Sequence, residues 1–160
     1  MKIAVISDSH NIKSAINLVK PYISDADIVM HLGDGSPNVE EITEGFHGEV
    51  YAVKGNCDLA VEYPNERIVE VLDKKILMCH GHMYNVKMDL NNIFYRAKEL
   101  GVDIVLFGHT HIGLIEKKEG LLLMNPGSMA LGAGGILRSI GYIEIEEGKE
   151  VLAYIKEIKQ

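Results

Sequence analysis

The chain has 160 residues, the usual size of one domain, and at that length a fold buries roughly 70% of its unfolded surface. Apolar residues make up 47% of it and charged residues 24%, a composition that excludes a disordered or fibrous chain. A formal charge of -7, with no basic cluster longer than Lys74-Lys75 or Lys117-Lys118, argues against a long nucleic-acid partner and leaves a small anion open.

Along the chain, Lys2 to Ser7 is a short β-branched run that reads as a buried strand. Asn11 to Ile23 places Ile12, Ala15, Ile16, Val19 and Ile23 at helical spacing. Asp27 to Leu32 and Val50 to Val53 read as strands on either side of a short helical stretch, Val39 to Phe46. Strand-helix-strand order favours a parallel sheet covered by helices. Arg67 to Leu72 and Lys75 to Cys79 suggest a hairpin about Asp73-Lys74. Met88 to Leu100 is the next amphipathic helix, stopped by Gly101, and Asp103 to Phe107 is again a strand.

Beyond Gly108 only short strands follow, at Leu114 to Lys117, Leu121 to Met124, Ser139 to Ile145 and Glu150 to Ile158, which suggests a largely antiparallel second sheet. Gly132 to Gly135 reads as a flexible loop. The fold expected is α/β, a four-layer α/β/β/α sandwich of two mixed sheets with helices on the outer faces, as one domain over residues 1–160. Two cysteines, Cys57 and Cys79, are too few for a disulfide scaffold. The N-terminus opens on a strand pattern rather than a signal segment, and charged residues interrupt every apolar run, so a cytoplasmic protein with no membrane partner is expected.

The polar residues at the strand exits carry the chemistry. Asp8-Ser9-His10, Asp34, Asn56, His80 and His109-Thr110-His111 each follow a predicted strand. Ligands bind where carboxyl ends of strands and their loops converge. One such residue is easily a helix cap or a turn; four histidines, two carboxylates and a carboxamide at five exits are not explained that way. Seven nitrogen and oxygen donors without thiolate exceed one tetrahedral zinc site and suit a pair of borderline ions, Mn²⁺, Ni²⁺, Fe or Zn²⁺. Two ions about 3.5–4 Å apart need a shared anionic ligand, and such a site favours phosphate and supplies hydroxide near neutral pH.

Asp8-x-His10, Gly33-Asp34, Gly55-Asn56, His80 and Gly108-His109-x-His111 resemble, in order and spacing from Lys2 to Ser128, the calcineurin-like metallophosphoesterases, in particular their small bacterial and archaeal phosphodiesterases. The resemblance implies that Asp8, His10, Asp34 and His111 hold one divalent metal and Asp34, Asn56, His80 and His109 the other, with Asp34 bridging and a bridging hydroxide as nucleophile. Mn²⁺ or Ni²⁺ is the first expectation for the metals, with Fe or Zn²⁺ as alternatives. Many members carry His after the Gly-Asn pair, where it protonates the leaving group; here the residue is Cys57, a poorer acid, which points to small phosphodiesters over monoesters. His82 is a substitute acid or an exposed loop residue.

Among other candidates, His31 is expected as a core group behind the ligands, His47 as a surface residue, and Asn125-Pro126-Gly127-Ser128 as a turn that lies near the metals in the family. Alternation directs Cys79 away from His80 into the core. Met83 to Met88 would cover a substrate or a subunit partner, so a homo-oligomer stays open. Two other readings remain: a protein-binding scaffold like the retromer subunit, with a residual metal site, and a phosphomonoesterase.

Overall fold

The computed structural model describes residues 1–130 and 137–160; the Gly132 to Gly135 loop expectation falls outside the described residues. Strands are β1 (Lys2–Ile6), β2 (Ile28–His31), β3 (Glu49–Ala52), β4 (Glu66–Val71), β5 (Lys74–Cys79), β6 (Ile104–Leu106), β7 (Gly113–Lys118), β8 (Leu121–Pro126), β9 (Ser139–Glu144) and β10 (Leu152–Glu157). Helices are α1 (Lys13–Ile23), α2 (Val39–Ile42) and α3 (Asn91–Leu100).

Side-chain alternation builds the layers. Ile3 and Val5 of β1 point to one face, where they meet Met78, Leu106 and Met124 of the opposing sheet. Ala4 and Ile6 point to the other, against Ile16, Val19 and Ile23 of α1 and Ile42 of α2. On the far side, Leu77, Cys79, Val105 and Leu123 pack under Ile93, Phe94 and Ala97 of α3. Three apolar layers therefore separate helix, sheet, sheet and helix, the four-layer sandwich expected. Each Ile, Leu or Val removed from water there contributes about 1.5–3 kcal/mol.

The sheets run β10-β9-β1-β2-β3 and β4-β5-β6-β8-β7. β1, β2 and β3 are parallel, with β9 and β10 added antiparallel. β5, β6 and β8 are parallel, edged by antiparallel β4 and β7. The expected antiparallel second sheet after Gly108 is thus incorrect. β6 and β8 pair in parallel, and the chain then returns to lay β9 along β1, with Ile3 opposite Ile143 and Ala4 opposite Tyr142. β1 is buried on both faces and needs a neighbour on both edges, a requirement that local pattern does not reveal.

Element bounds shift for local reasons. α1 starts at Lys13 because His10 and Asn11 adopt left-handed backbone at φ 46° and 59°. α2 ends at Ile42, where Thr43 bonds back to the Val39 carbonyl. α3 starts at Asn91, whose N–H is capped by Asp89 Oδ1 at 2.9 Å, and ends at Gly101 with φ 65° as expected. The hairpin turns at Leu72-Asp73, one residue earlier than expected, since Val71 pairs with Lys74.

Candidate metal centre

Asp8 leaves β1 in left-handed backbone, φ 56°, and is fully buried. Its Oδ2 accepts hydrogen bonds from Ser7 Oγ (2.6 Å) and the His109 N–H (3.1 Å). Its Oδ1 is left without a hydrogen-bond partner. Around that oxygen stand Nε2 of His111 at 3.1 Å, of His10 at 3.6 Å and of His80 at 3.8 Å. The His10 and His111 Nε2 atoms face each other at 3.2 Å.

A second cluster forms at Asp34. Oδ1 accepts the Cys57 N–H at 2.8 Å, and Oδ2 lies 3.2 Å from His80 Nε2. The other ring nitrogen of His80, Nδ1, donates to the Leu32 carbonyl at 2.8 Å, which fixes the ring and turns Nε2 toward the two carboxylates. That Nε2 is buried with no hydrogen-bond partner. His109 completes the group, its ring centroid 5.0 Å from that of His80.

Two buried atoms without a hydrogen-bond partner, Asp8 Oδ1 and His80 Nε2, would each cost about 1–3 kcal/mol. A cation satisfies both. One potential ligand atom from each of Asp8, His10 and His111 lies within 4.8 Å of the others, and the same holds for Asp34, His80 and His109, and for His10, Asp34 and Cys57. The donors are imidazole and carboxylate, suited to divalent transition ions. The first two of these groups each draw on both sheets: Asp8, His10 and Asp34 follow β1 and β2, whereas His80, His109 and His111 follow β5 and β6.

The ionisation of the clusters follows from their packing. Burial opposes charge on Asp8, yet His10, His111, His80 and Ser7 hold its carboxyl far below the usual range. Burial likewise opposes charge on Asp34, and His80 and the Cys57 N–H overcome it, bringing it to about 2. His109 is brought down to about 4 by burial, with His80 and Lys87 adding to it. Both carboxylates are therefore ready anionic ligands and His109 a neutral one at neutral pH.

The backbone is shaped for this convergence. Among the described residues ten non-glycine positions have positive φ, and Asp8, His10, Asp34, His109 and His111 are five of them. Such strain persists where surrounding contacts over-determine it, which is common at functional sites. The glycines before the ligands allow close approach: a Cβ on Gly55 would lie 2.1 Å from Asp34 Oδ1, and one on Gly108 would lie 2.0 Å from Ser7 Oγ.

Asn56 is exposed beside this centre, its amide nitrogen 3.6 Å from Cys57 Sγ and its side chain making no other hydrogen bond among the described residues. Cys57 is exposed, and partial burial followed by Asp34 pushes its thiol up. The His82 ring lies 5.5 Å from His80 and 6.2 Å from His109, and burial followed by His80 lowers its proton affinity. His47 lies outside both clusters, between α2 and β3. Cys79 is in the α3 layer, as alternation requires.

Asp58 was missed by the sequence reading. This buried carboxylate accepts the N–H groups of Asp34, Gly35 and Gly55 at 2.8 Å each and Ser36 Oγ at 2.7 Å, locking the Asp34 loop to the Asn56 loop. Its place two residues after Asn56 was the available signal. Asn125 and Ser128 also have more than turn roles: Asn125 Nδ2 donates to the Gly108 carbonyl (2.8 Å), and Ser128 Oγ to the Asp8 carbonyl (2.9 Å).

His31 is a core group, as expected. Its Nδ1 accepts the Gly33 N–H at 3.1 Å, its Nε2 faces Ser9 Oγ at 3.2 Å, and burial lowers it to about 4. The unfolded imidazole near 6.5 takes up a proton that the native one refuses, so stability falls as pH drops from 6.5 toward 4. In urea unfolding, the wild type is expected to lose about 2 kcal/mol more than His31→Asn between pH 6.5 and 4.5; equal losses would contradict a buried neutral ring.

The sequence matches the calcineurin-like phosphoesterase superfamily domain over residues 1–148. The chain belongs to this superfamily. Members bind divalent metals and hydrolyse phosphoesters, and the described residues include groups able to hold such ions. Among curated relatives, "Probable metallophosphoesterase YsnB" of Bacillus subtilis is 40% identical over 133 residues, 82% of this chain and 76% of that protein. A solved archaeal phosphodiesterase superposes with a TM-score of 0.77 at 25% identity, over 98% of this chain and all of that one. Vps29 of Entamoeba histolytica shares the calcineurin-like fold at a TM-score of 0.81 and 22% identity, over 99% of this chain and 100% of its own. Among the described residues no helix is long and apolar enough to cross a membrane.

Proposed function

We propose that the chain is a divalent-metal-dependent phosphodiesterase acting on small phosphodiesters at a two-ion site. The observation that carries this reading is the pair of buried, unpartnered atoms Asp8 Oδ1 and His80 Nε2, each inside a cluster of imidazole and carboxylate donors. Asp8, His10, Asp34 and His111 would hold one ion and Asp34, Asn56, His80 and His109 the other, with Asp34 shared. When bound, two divalent ions neutralise phosphate charge and supply hydroxide near neutral pH.

The residues of the chain prepare that chemistry. Ser7 and the His109 N–H occupy Asp8 Oδ2 and leave Oδ1 for a cation. The Leu32 carbonyl holds His80 so that Nε2 faces the site. A scaffold role, suggested by the fold likeness to Vps29, has no need of this filled ligand set. Mn²⁺ and Ni²⁺ are the ions we favour, with Fe and Zn²⁺ as alternatives.

Preference for diesters rests on Cys57. With its thiol pushed up by burial and Asp34, it stays protonated but is a weak acid, so a poor leaving group receives little help. The relation to the archaeal phosphodiesterase supports the same preference. His82, beside His80 and His109, is the other residue placed to assist the leaving group.

Turnover of bis-p-nitrophenyl phosphate with Mn²⁺ or Ni²⁺, abolished by EDTA and restored by metal, tests the activity; no turnover with any of the four metals would overturn it. Cys57→His is expected to raise activity on p-nitrophenyl phosphate relative to the diester by about tenfold, less than a general acid's full effect because p-nitrophenolate leaves readily. An unchanged ratio would remove Cys57 from the account of specificity.

A further inference from the structure

Exposed apolar side chains are ordinary when scattered over a surface. Here they recur on the ligand-bearing loops. Ile12 follows His10 by two residues, Leu59 follows Asn56 by three, Met83 follows His80 by three, and Ile112 follows His111 directly; Leu59 is 82% exposed and Ile112 56%. Three residues of chain span about 10 Å at most, so all four stand within that reach of the ligands.

The same loops are poor in cations. Residues 8–12, 33–38, 55–60, 80–84 and 108–112 contain no Lys or Arg, and the acidic side chains among them are Asp8, Asp34 and the buried Asp58. Cations stand at their margins: Lys13 directly after Ile12, Lys54 directly before Gly55, and Lys87, near enough to affect His109. With no cation inside these stretches, the charge of a phosphate is met chiefly by the centre itself, which suits the single charge of a diester. Exposed apolar side chains on the loops of a charged centre match a ligand that is anionic at phosphorus and apolar beyond it.

We infer that Ile12, Leu59, Met83 and Ile112 form a specificity rim that selects phosphodiesters carrying an aromatic or similarly apolar ester group. The inference rests on the phosphodiesterase reading and names the substrate class of that site. The phosphate is held by the centre, and the substituent lies against the rim, losing water from both surfaces.

The test compares phenyl p-nitrophenyl phosphate with methyl p-nitrophenyl phosphate, which release the same leaving group and differ in the retained one. In the metal-loaded protein, the triple variant Leu59→Ser, Met83→Ser, Ile112→Ser is expected to lower the phenyl-to-methyl ratio of kcat/KM by about tenfold, mainly through KM for the phenyl ester. Calorimetric binding of diphenyl phosphate and dimethyl phosphate provides a readout independent of turnover, and the same loss of preference is expected there. If the wild type turns over neither ester but prefers diphenyl phosphate in a rim-dependent way, the activity fails and the rim stands. A ratio within twofold of wild type in both measurements would overturn the rim. So would a wild-type dimer that the triple variant converts to monomer with no change in preference, which would assign these side chains to a second copy of the chain.

Discussion

Asp34→Ala is expected to reduce diester turnover by about 10³-fold or more and to lower bound metal from the proposed two ions per chain to one or none. The argument starts from the two oxygens of this carboxylate. Oδ1 takes the Cys57 N–H and Oδ2 faces His80 Nε2, so the side chain stands at the junction between the Asn56 loop and the histidines of the second sheet. With Asp34 gone, Asp8 is the remaining carboxylate among the proposed ligands, and the repulsion between two dications is no longer offset. Metal content by elemental analysis checks this directly. Thermal unfolding checks it independently: an ion present at about 1,000 times its Kd stabilises by about 4 kcal/mol, and that metal-dependent shift should shrink in the variant. Two tightly held ions in Asp34→Ala would rule out the bridge.

Asp58→Ala is expected to destabilise the protein by about 3–6 kcal/mol, a large share of the roughly 5–15 kcal/mol typical of a domain. The substitution strands the N–H groups of Asp34, Gly35 and Gly55 and the Ser36 hydroxyl in a buried place. Each stranded donor costs about 1–3 kcal/mol, and partial relaxation keeps the sum below additivity. Because these donors belong to the two loops presenting Asp34 and Asn56, metal affinity should weaken as well. Asp58→Asn retains one acceptor oxygen and should fall between the two. Urea unfolding and metal titration of the three proteins give the ranking; an alanine variant as stable as wild type would refute the role of this carboxylate.

The ligand-type residues were legible because each is a polar side chain directly after an apolar strand, where packing alone has no use for it. The preceding glycines were legible as motif members, and the structure adds their reason: Gly55 and Gly108 let backbone pass within van der Waals contact of Asp34 and Ser7. Asp58 escaped because three of its four partners, in Asp34 to Ser36, are 22 to 24 residues away in the chain and mostly backbone. Periodicity carries no trace of such bonds. The return of β9 to β1 escaped similarly, since alternation tells which face of a strand is apolar but not which strand lies beside it. The late start of α1 has the same origin: apolar spacing from Ile12 onward continued past residues whose backbone is committed to holding His10.

The clusters of Asp8, His10 and His111 and of Asp34, His80 and His109 each draw from both sheets, and His10 and His111, which face each other across 3.2 Å, are 101 residues apart in the chain. An ion seated there would act as a clasp between two halves of the sandwich that are otherwise joined by an apolar layer and a few hydrogen bonds, such as that from His80 Nδ1 to the Leu32 carbonyl. Neither half alone can assemble the clasp, so high-affinity capture must follow the docking of the sheets during folding. Ion uptake would then become a clock for the last long-range step of assembly, and withdrawing the ion would loosen the sandwich first at the proposed centre.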